Sequence, residues 1–270
     1  NKYPSFTRSV ITDKNGKKCQ RYSLLNEFDC RFNINGKNGE VILLGTSALA
    51  VFSNSLTSRL IKNDYRVSVI TPPGCPYVLE FYHYNRVSCN EEYMKKIQNY
   101  LNDTKNPTIV IYLTRYAYYI NGKLKHEKDF ELNSPILMSK TQKDISLGFK
   151  DTFIDILKQG HKLLLIYPLP EIDKHVPKEY RKKIYKDNFN LVLPYKNYVD
   201  RTDNIFKLFD TIQHKNLYRF FPNKYLCKTG NTCVTKINNK ILYTDYDHLG
   251  VNGSEFLSPL ILNSPIFKLN

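Results

Sequence analysis

Short, continuous apolar runs separated by stretches of helical periodicity constrain the fold of this chain more than any other feature. Each run is too short for a typical helix and fits a strand that is buried on both faces of a sheet. Four clear runs and a weaker fifth occur, at Val41–Leu44, Arg66–Thr71, Thr108–Thr114, Lys162–Tyr167 and Tyr218–Phe221.

Segments with apolar residues at helical spacing lie between and after these runs. The alternation predicts a three-layer α/β/α sandwich with a mostly parallel sheet of roughly five strands and right-handed crossovers. Helices are predicted at Ala48–Ile61, Glu91–Leu101, Thr141–Lys158, Asp203–Ile212 and Ser254–Leu262.

The periodicity begins near residue 40, which suggests how the 270 residues are organised. We predict that residues 1–39 form an N-terminal extension packed on one domain that spans residues 40–270. The Lys- and Pro-rich stretch 168–198 is predicted to be an insertion that helps to set substrate specificity. Because the chain begins at Asn1 rather than Met, we expect it to be a piece of a longer or processed protein.

The net charge of +15 is compatible with a nucleic-acid binder, with a neighbour of polyanions, or with no special partner. The basic residues are spread along the chain without a nucleic-acid-binding motif, so no nucleic-acid partner is predicted. A basic surface that faces anionic cell-envelope material is favoured. No run of about 18 apolar residues is present to span a membrane.

The six cysteines fall into three close pairs, which favours local disulfides and an oxidising compartment over reduced, buried thiols. The last pair flanks a polar turn that offers no core to bury thiols. None of the pairs has the spacing of a zinc site, and neither a metal nor a cofactor is predicted. The predicted disulfides are Cys19–Cys30, Cys75–Cys89 and Cys227–Cys233.

Side chains suited to acyl-transfer chemistry follow the predicted strands. Ser47 follows the first strand, and Asp245 and His248 follow the last. Because the ends of parallel strands meet at one edge of a sheet, we expect these residues to converge. His248 would then act as base for the Ser47 hydroxyl, with Asp245 orienting the imidazole. The backbone N–H groups of Ser47 and Gly74 are candidate donors to an oxyanion.

Simpler roles compete with these. Ser47 is also suited to be only a helix N-cap. Arg115, which follows the third strand, either lies at the site or pairs with a carboxylate such as Asp151 or Glu171. Asp247 is expected to face solvent or to serve the turn.

Two of these segments resemble sequence blocks of SGNH (GDSL-like) hydrolases. Leu43–Ser47 looks like the first block, and Asp245–His248 is similar to the last. More narrowly, the tail resembles the SGNH domain fused to acyltransferase-3 membrane proteins. The resemblance spans about residues 40–262 and implies an SGNH-hydrolase, flavodoxin-like fold. The order of residues that carries it is Cys227, Cys233, Tyr243, Asp245, His248, Leu249 and Gly253.

The chain departs from the family at three places. Thr46 stands where the family usually has Asp, and Ala48 where it often has His. The third block supplies no Asn to the oxyanion hole, and Arg115 and Tyr116 are the candidates for substrate binding there.

The resemblance implies O-acetyl transfer to, or removal from, a cell-envelope glycan such as lipopolysaccharide. It also implies a periplasmic or extracytoplasmic domain, tethered to the inner membrane through an acyltransferase-3 domain of the same full-length chain. The clustered Lys182, Lys183 and Lys186 are candidates for contact with an anionic glycan, or else a solvated surface. The alternative function is an inactive SGNH-like domain that binds glycan or a protein partner, as the departures at Thr46 and Ala48 would allow.

Overall fold

A six-stranded, mostly parallel sheet forms the centre of the computed structural model. The structure describes residues 7–19, 30–83, 89–104, 107–124, 137–139, 141–183, 190–227 and 231–268. Lys186 and parts of the predicted extension and insertion lie outside these residues. The strands are Arg31–Phe32 (β1), Glu40–Gly45 (β2), Arg66–Ile70 (β3), Phe81–Tyr82 (β4), Ile109–Leu113 (β5), Met138–Ser139 (β6), Lys162–Ile166 (β7), Val192–Pro194 (β8), Leu217–Phe220 (β9), Thr232–Val234 (β10), Lys236–Ile237 (β11) and Lys240–Ile241 (β12).

The strand order in the main sheet is β1-β3-β2-β5-β7-β9. The five predicted strands are parallel, and β1 adds a sixth, antiparallel strand beside β3. Two residues are too few to show a period, which is why the sequence did not predict β1. The remaining strands form three small antiparallel pairs, β4 with β6, β8 with β10 and β11 with β12.

Helices cover both faces of the sheet. All residues of β5 are buried, as an inner strand between two helix layers must be. The helices are Ser47–Ala50 (α1), Ser53–Lys62 (α2), Glu91–Asp103 (α3), Tyr116–Asn121 (α4), Ile145–Lys158 (α5), Val176–Lys182 (α6), Tyr195–Asp210 (α7), Asn223–Leu226 (α8) and Val251–Leu262 (α9), with a 3₁₀ turn at Pro265–Phe267. α2 packs against α9 and β3, whereas α5 packs against α4, α7 and β7. The three-layer α/β fold is confirmed.

Two predicted helices differ from those observed by more than their end residues. The single helix predicted over 48–61 is interrupted after Ala50, because the Ser53 hydroxyl donates to the Ala50 carbonyl at 2.6 Å. A side-chain bond of this kind competes with the helical pattern of the backbone. The helix predicted from Asp203 begins earlier, at Tyr195, so the end of the predicted insertion is the first turn of α7.

The three predicted disulfides are present and involve all six cysteines. Cys19–Cys30 ties the N-terminal residues to the start of β1, and Cys227–Cys233 links the end of α8 to β10. The division at residues 39 and 40 stays a prediction. Among the helices of the described ranges, none has both the length and the apolar character needed to cross a membrane.

Gly45 ends β2 and lets the following turn approach β5. A Cβ atom at this position would overlap the carbonyl oxygen of Leu113, its register partner. Glycine is therefore required where the chain turns from β2 toward Ser47.

Candidate active site

A closed turn after β12 holds the predicted base. Tyr243 pairs with Leu249 as an isolated antiparallel bridge, and the Thr244 N–H donates to the His248 carbonyl at 2.9 Å. The Asp245 carboxylate accepts the backbone N–H of His248 at 2.7 Å within this turn. The spacing of three residues thus brings the two side chains together by local hydrogen bonding.

Ser47 is the first residue of α1, and its hydroxyl lies 2.7 Å from His248 Nε2. The N-cap of this helix is Thr46, whose hydroxyl is 3.0 Å from that of Thr114. The alternative of Ser47 as an N-cap is therefore wrong. The buried Thr46–Thr114 contact joins the turns after β2 and β5. Thr46 is the position at which the family usually has an Asp.

The other ring nitrogen of His248, Nδ1, lies 3.0 Å and 3.2 Å from the two carboxylate oxygens of Asp245. A carboxylate only accepts hydrogen bonds, so this contact favours the tautomer with the proton on Nδ1. Nε2 then has a free lone pair directed at the Ser47 hydroxyl. This geometry is that of a serine activated by a base, with the base oriented by a carboxylate.

Asp247 is a second carboxylate beside the imidazole, which the sequence did not predict. It is 9% exposed, so the expectation that it faces solvent is wrong. One oxygen lies 3.4 Å from His248 Nδ1, and the other lies 3.3 Å from Arg115 Nε. Arg115 also donates to Glu171 at 2.7 Å, and Arg201 contacts the second oxygen of Glu171 at 3.1 Å. Arg115 therefore pairs with Glu171 and reaches the imidazole through Asp247.

These carboxylates set the protonation of the site. Burial raises the pKa of Asp245, but hydrogen bonds from the His248 ring and from two backbone N–H groups outweigh burial and hold that pKa well below its usual range. Burial lowers the pKa of His248, but the Asp247 charge and the contacts with Asp245 outweigh it and raise the pKa from 6.5 to about 9. His248 must therefore lose a proton before it can act as a base near neutral pH.

Comparisons with known proteins give the family of the chain and the likeness of its fold. The family model for the SGNH domain (fused to AT3 domains) matches residues 18–263. The chain belongs to this SGNH domain family. Among solved structures, the SGNH domain is similar to the periplasmic domain of a lipopolysaccharide acetyltransferase of Salmonella ser. Paratyphi A, with 18% identity and a TM-score of 0.51 over 87% of this chain and 84% of that one. At this identity the likeness shows the fold alone. No curated protein matches the chain closely enough to count as a relative.

Tyr116 and Gly74 were also predicted to belong to the site, as a substrate-binding residue and as an oxyanion donor. Tyr116 is 1% exposed, and its hydroxyl donates to the Ile166 carbonyl at 3.1 Å. Its ring packs edge-on against Phe149 and Phe209, so the side chain lies in the core. Gly74 has φ of +64°, a conformation that glycine adopts readily, and its role as an oxyanion donor stays a prediction.

Arg8 also contacts the Asp245 and His248 side chains. Its Nη2 lies 2.7 Å from an Asp245 oxygen and 3.1 Å from His248 Nδ1. Nothing in the sequence could have predicted this contact, because a single Arg in an aperiodic segment lies 237 positions from its partner.

Asp245, Asp247 and His248 also bring three potential metal-binding atoms within 4.8 Å of one another. The guanidinium groups of Arg8 and Arg115 already face the two carboxylates, at 2.7 Å and 3.3 Å. The negative charge of these carboxylates is thus balanced by internal cations.

Proposed function

We propose that this SGNH domain carries out O-acetyl transfer on a cell-envelope glycan, with Ser47 as nucleophile, His248 as general base and Asp245 as the carboxylate that orients it. The observation that carries the proposal is the continuous hydrogen-bonded row from the Ser47 hydroxyl through the imidazole to Asp245, at 2.7 Å and 3.0 Å. Two contacts within hydrogen-bond range meet the geometric requirement for an activated serine.

The chemistry proceeds in two halves. Ser47 Oγ attacks the carbonyl carbon of an acetyl donor while its proton passes to His248 Nε2. The tetrahedral intermediate then collapses, and His248 returns the proton to the leaving group of the donor, so that an acetyl ester remains on Ser47. A sugar hydroxyl, or water, repeats these steps in reverse. Transfer and hydrolysis therefore differ only in the acceptor.

The negative oxygen of each tetrahedral intermediate requires donors that are already in place. As the first residue of α1, Ser47 has a backbone N–H without a carbonyl partner inside the helix. We assign this N–H and that of Gly74 as donors, and Arg115 as a positioning residue that acts through Asp247.

An exposed basic segment beside the site supports an anionic acceptor. The Ile172 N–H donates to the Tyr246 carbonyl at 2.6 Å, and the His175 ring contacts the Tyr246 ring at 5.1 Å. These contacts hold the start of α6 against the turn that carries Asp245 and His248. Lys182, at the end of α6, and the adjacent Lys183 are exposed. A glycan with acidic groups would be attracted to this side of the site.

Two further observations support the cellular setting. The family is described by its fusion to AT3 domains, which supports a membrane acyltransferase domain in the same full-length chain as the acetyl donor. Three disulfides support an oxidising, extracytoplasmic compartment, periplasmic in a cell with an inner membrane.

Turnover of 4-nitrophenyl acetate tests the nucleophile. Ser47→Ala should lower kcat/KM by at least about a thousandfold, because residual catalysis would come only from binding and the oxyanion donors. Ser58→Ala, a matched change on α2, should leave it unchanged. Equal turnover by wild type and Ser47→Ala would move the active site elsewhere. No turnover above background by the wild type, together with no labelling of Ser47 by a fluorophosphonate, would favour the inactive, glycan-binding alternative. Acetyl groups on an added envelope polysaccharide, rather than free acetate, would identify a transferase.

A further inference from the structure

Arg8 holds one oxygen of the catalytic carboxylate from outside the sequence motifs of the site. Asp245 Oδ2 lies 2.7 Å from Arg8 Nη2 and 3.0 Å from His248 Nδ1, so both donors share this oxygen. The guanidinium is always charged and can only donate. Arg8 Nη2 also lies 3.1 Å from His248 Nδ1. A permanent positive charge therefore stands next to a ring nitrogen that carries part of the positive charge of the protonated imidazole.

The segment that carries Arg8 is anchored on both sides of the site. The Val251 N–H, at the start of α9, donates to the Thr7 carbonyl at 3.1 Å. The Ile11 N–H donates to the Ser53 hydroxyl, at the start of α2, at 3.0 Å. Arg8 lies between these two anchors, so its position over Asp245 follows from the packing of residues 7–11 on the domain.

We propose that Arg8 is a positioning residue of the Ser47–His248 site, which fixes the Asp245 carboxylate and offsets the negative charge around the imidazole. This inference rests on the proposed function. Two hydrogen bonds to Oδ2 hold the carboxylate in the orientation that keeps the Nδ1 proton in place and leaves Nε2 as the acceptor. The cation also keeps part of the imidazole in the neutral form that accepts the Ser47 proton.

The charged groups around His248 decide the sign of this effect. Asp245 and Asp247, on its own turn, favour the protonated ring. Arg8 faces the ring directly from the N-terminal segment, whereas Arg115, from the start of α4, acts through Asp247 and is itself paired with Glu171. Arg8 is thus the cation with the closest contact to the ring among the described residues. Without Arg8, less positive charge offsets the two carboxylates, so the pKa of His248 rises.

The pH dependence of kcat/KM for 4-nitrophenyl acetate tests the proposal. In Arg8→Ala the acidic limb of the pH profile should move to higher pH by about one unit. This shift is at the low end of the range for a neighbouring charge, because solvent screens the Arg8 side chain, which is 37% exposed. Turnover well below the midpoint should then fall about tenfold. Arg8→Lys should restore most of the wild-type midpoint. Arg59→Ala is the matched control, since Arg59 pairs with Glu255 at 2.8 Å and is similarly exposed.

If Arg8→Ala folds but the acidic limb of its pH profile stays at the wild-type position, the proposed role of Arg8 is overturned. The proposed function would still stand. The NMR titration of the His248 ring gives a second readout that does not depend on turnover. It should show a higher pKa in Arg8→Ala than in wild type, even if neither protein hydrolyses the ester. An unchanged or lower pKa would overturn the proposal.

Discussion

Replacement of Asp247 by Asn removes the charge that raises the pKa of His248 most and keeps the size of the side chain. The pKa of His248 stands at about 9 against an ordinary 6.5. Asp247 also pairs with Arg115 at 3.3 Å, which reduces its effect on the pKa of His248. From the usual range for a neighbouring charge, Asp247→Asn should lower that pKa by about one to two units. Each unit corresponds to about 1.4 kcal/mol and to a factor of about ten in the neutral imidazole well below the midpoint.

The assay is kcat/KM for 4-nitrophenyl acetate from pH 6 to 10, corrected for spontaneous hydrolysis. A raised pKa means that the base is protonated below about 9 and active above it, so wild-type turnover should rise with pH through that value. Asp247→Asn should move the rising limb of the pH profile to lower pH and raise turnover at pH 7 about tenfold or more. Asp200→Asn, an exposed carboxylate paired with Lys196, is the matched control. A limb that stays in place, or moves up, would refute the assignment of Asp247.

Two further predictions concern the scaffold and the acceptor. Gly45→Ala should lower the free energy of unfolding by about 1–3 kcal/mol, because its Cβ would overlap the Leu113 carbonyl, and an unchanged denaturation midpoint would contradict that close approach. Lys182→Glu should weaken binding to an anionic glycan at low salt but not at about 1 M salt, where charges are screened within about 3 Å. Lys95→Glu on α3, which breaks a similar pair with Glu91, should have a smaller effect, and equal effects would make Lys182 an ordinary surface residue.

Periodicity predicted the parallel strands and most of the helices, because a strand buried on both faces must be apolar along its whole length. It failed where the structure depends on a single side-chain contact or on a very short strand. The break after Ala50 depends on the Ser53 hydroxyl, and β1 is only two residues long. Neither feature changes the apolar pattern of the chain.

The hydrogen-bonded row of Ser47, His248 and Asp245 was predictable in part. Asp245 and His248 could be paired because their spacing suits a closed turn, and Ser47 was expected nearby because the ends of parallel strands meet at one edge of the sheet. The turn does not directly follow a parallel strand as predicted, however, because α8 and the short strands β10–β12 lie between β9 and Tyr243. Tyr116 was misleading, because an aromatic residue after a strand suits the core as well as a binding surface. Its ring packs with Phe149 and Phe209.

The sequence by itself determined the α/β layers, the disulfide pairs and the candidate residues Ser47, Asp245 and His248, since the apolar pattern, the cysteine spacing and the turn residues are local properties of the chain. Only the tertiary structure decided the charge around the imidazole. Asp247 became a buried partner of Arg115, and Arg8 came within 3.1 Å of His248, through contacts between distant segments. Electrostatic interactions depend on distance and burial in space, and neither quantity is written in the order of residues.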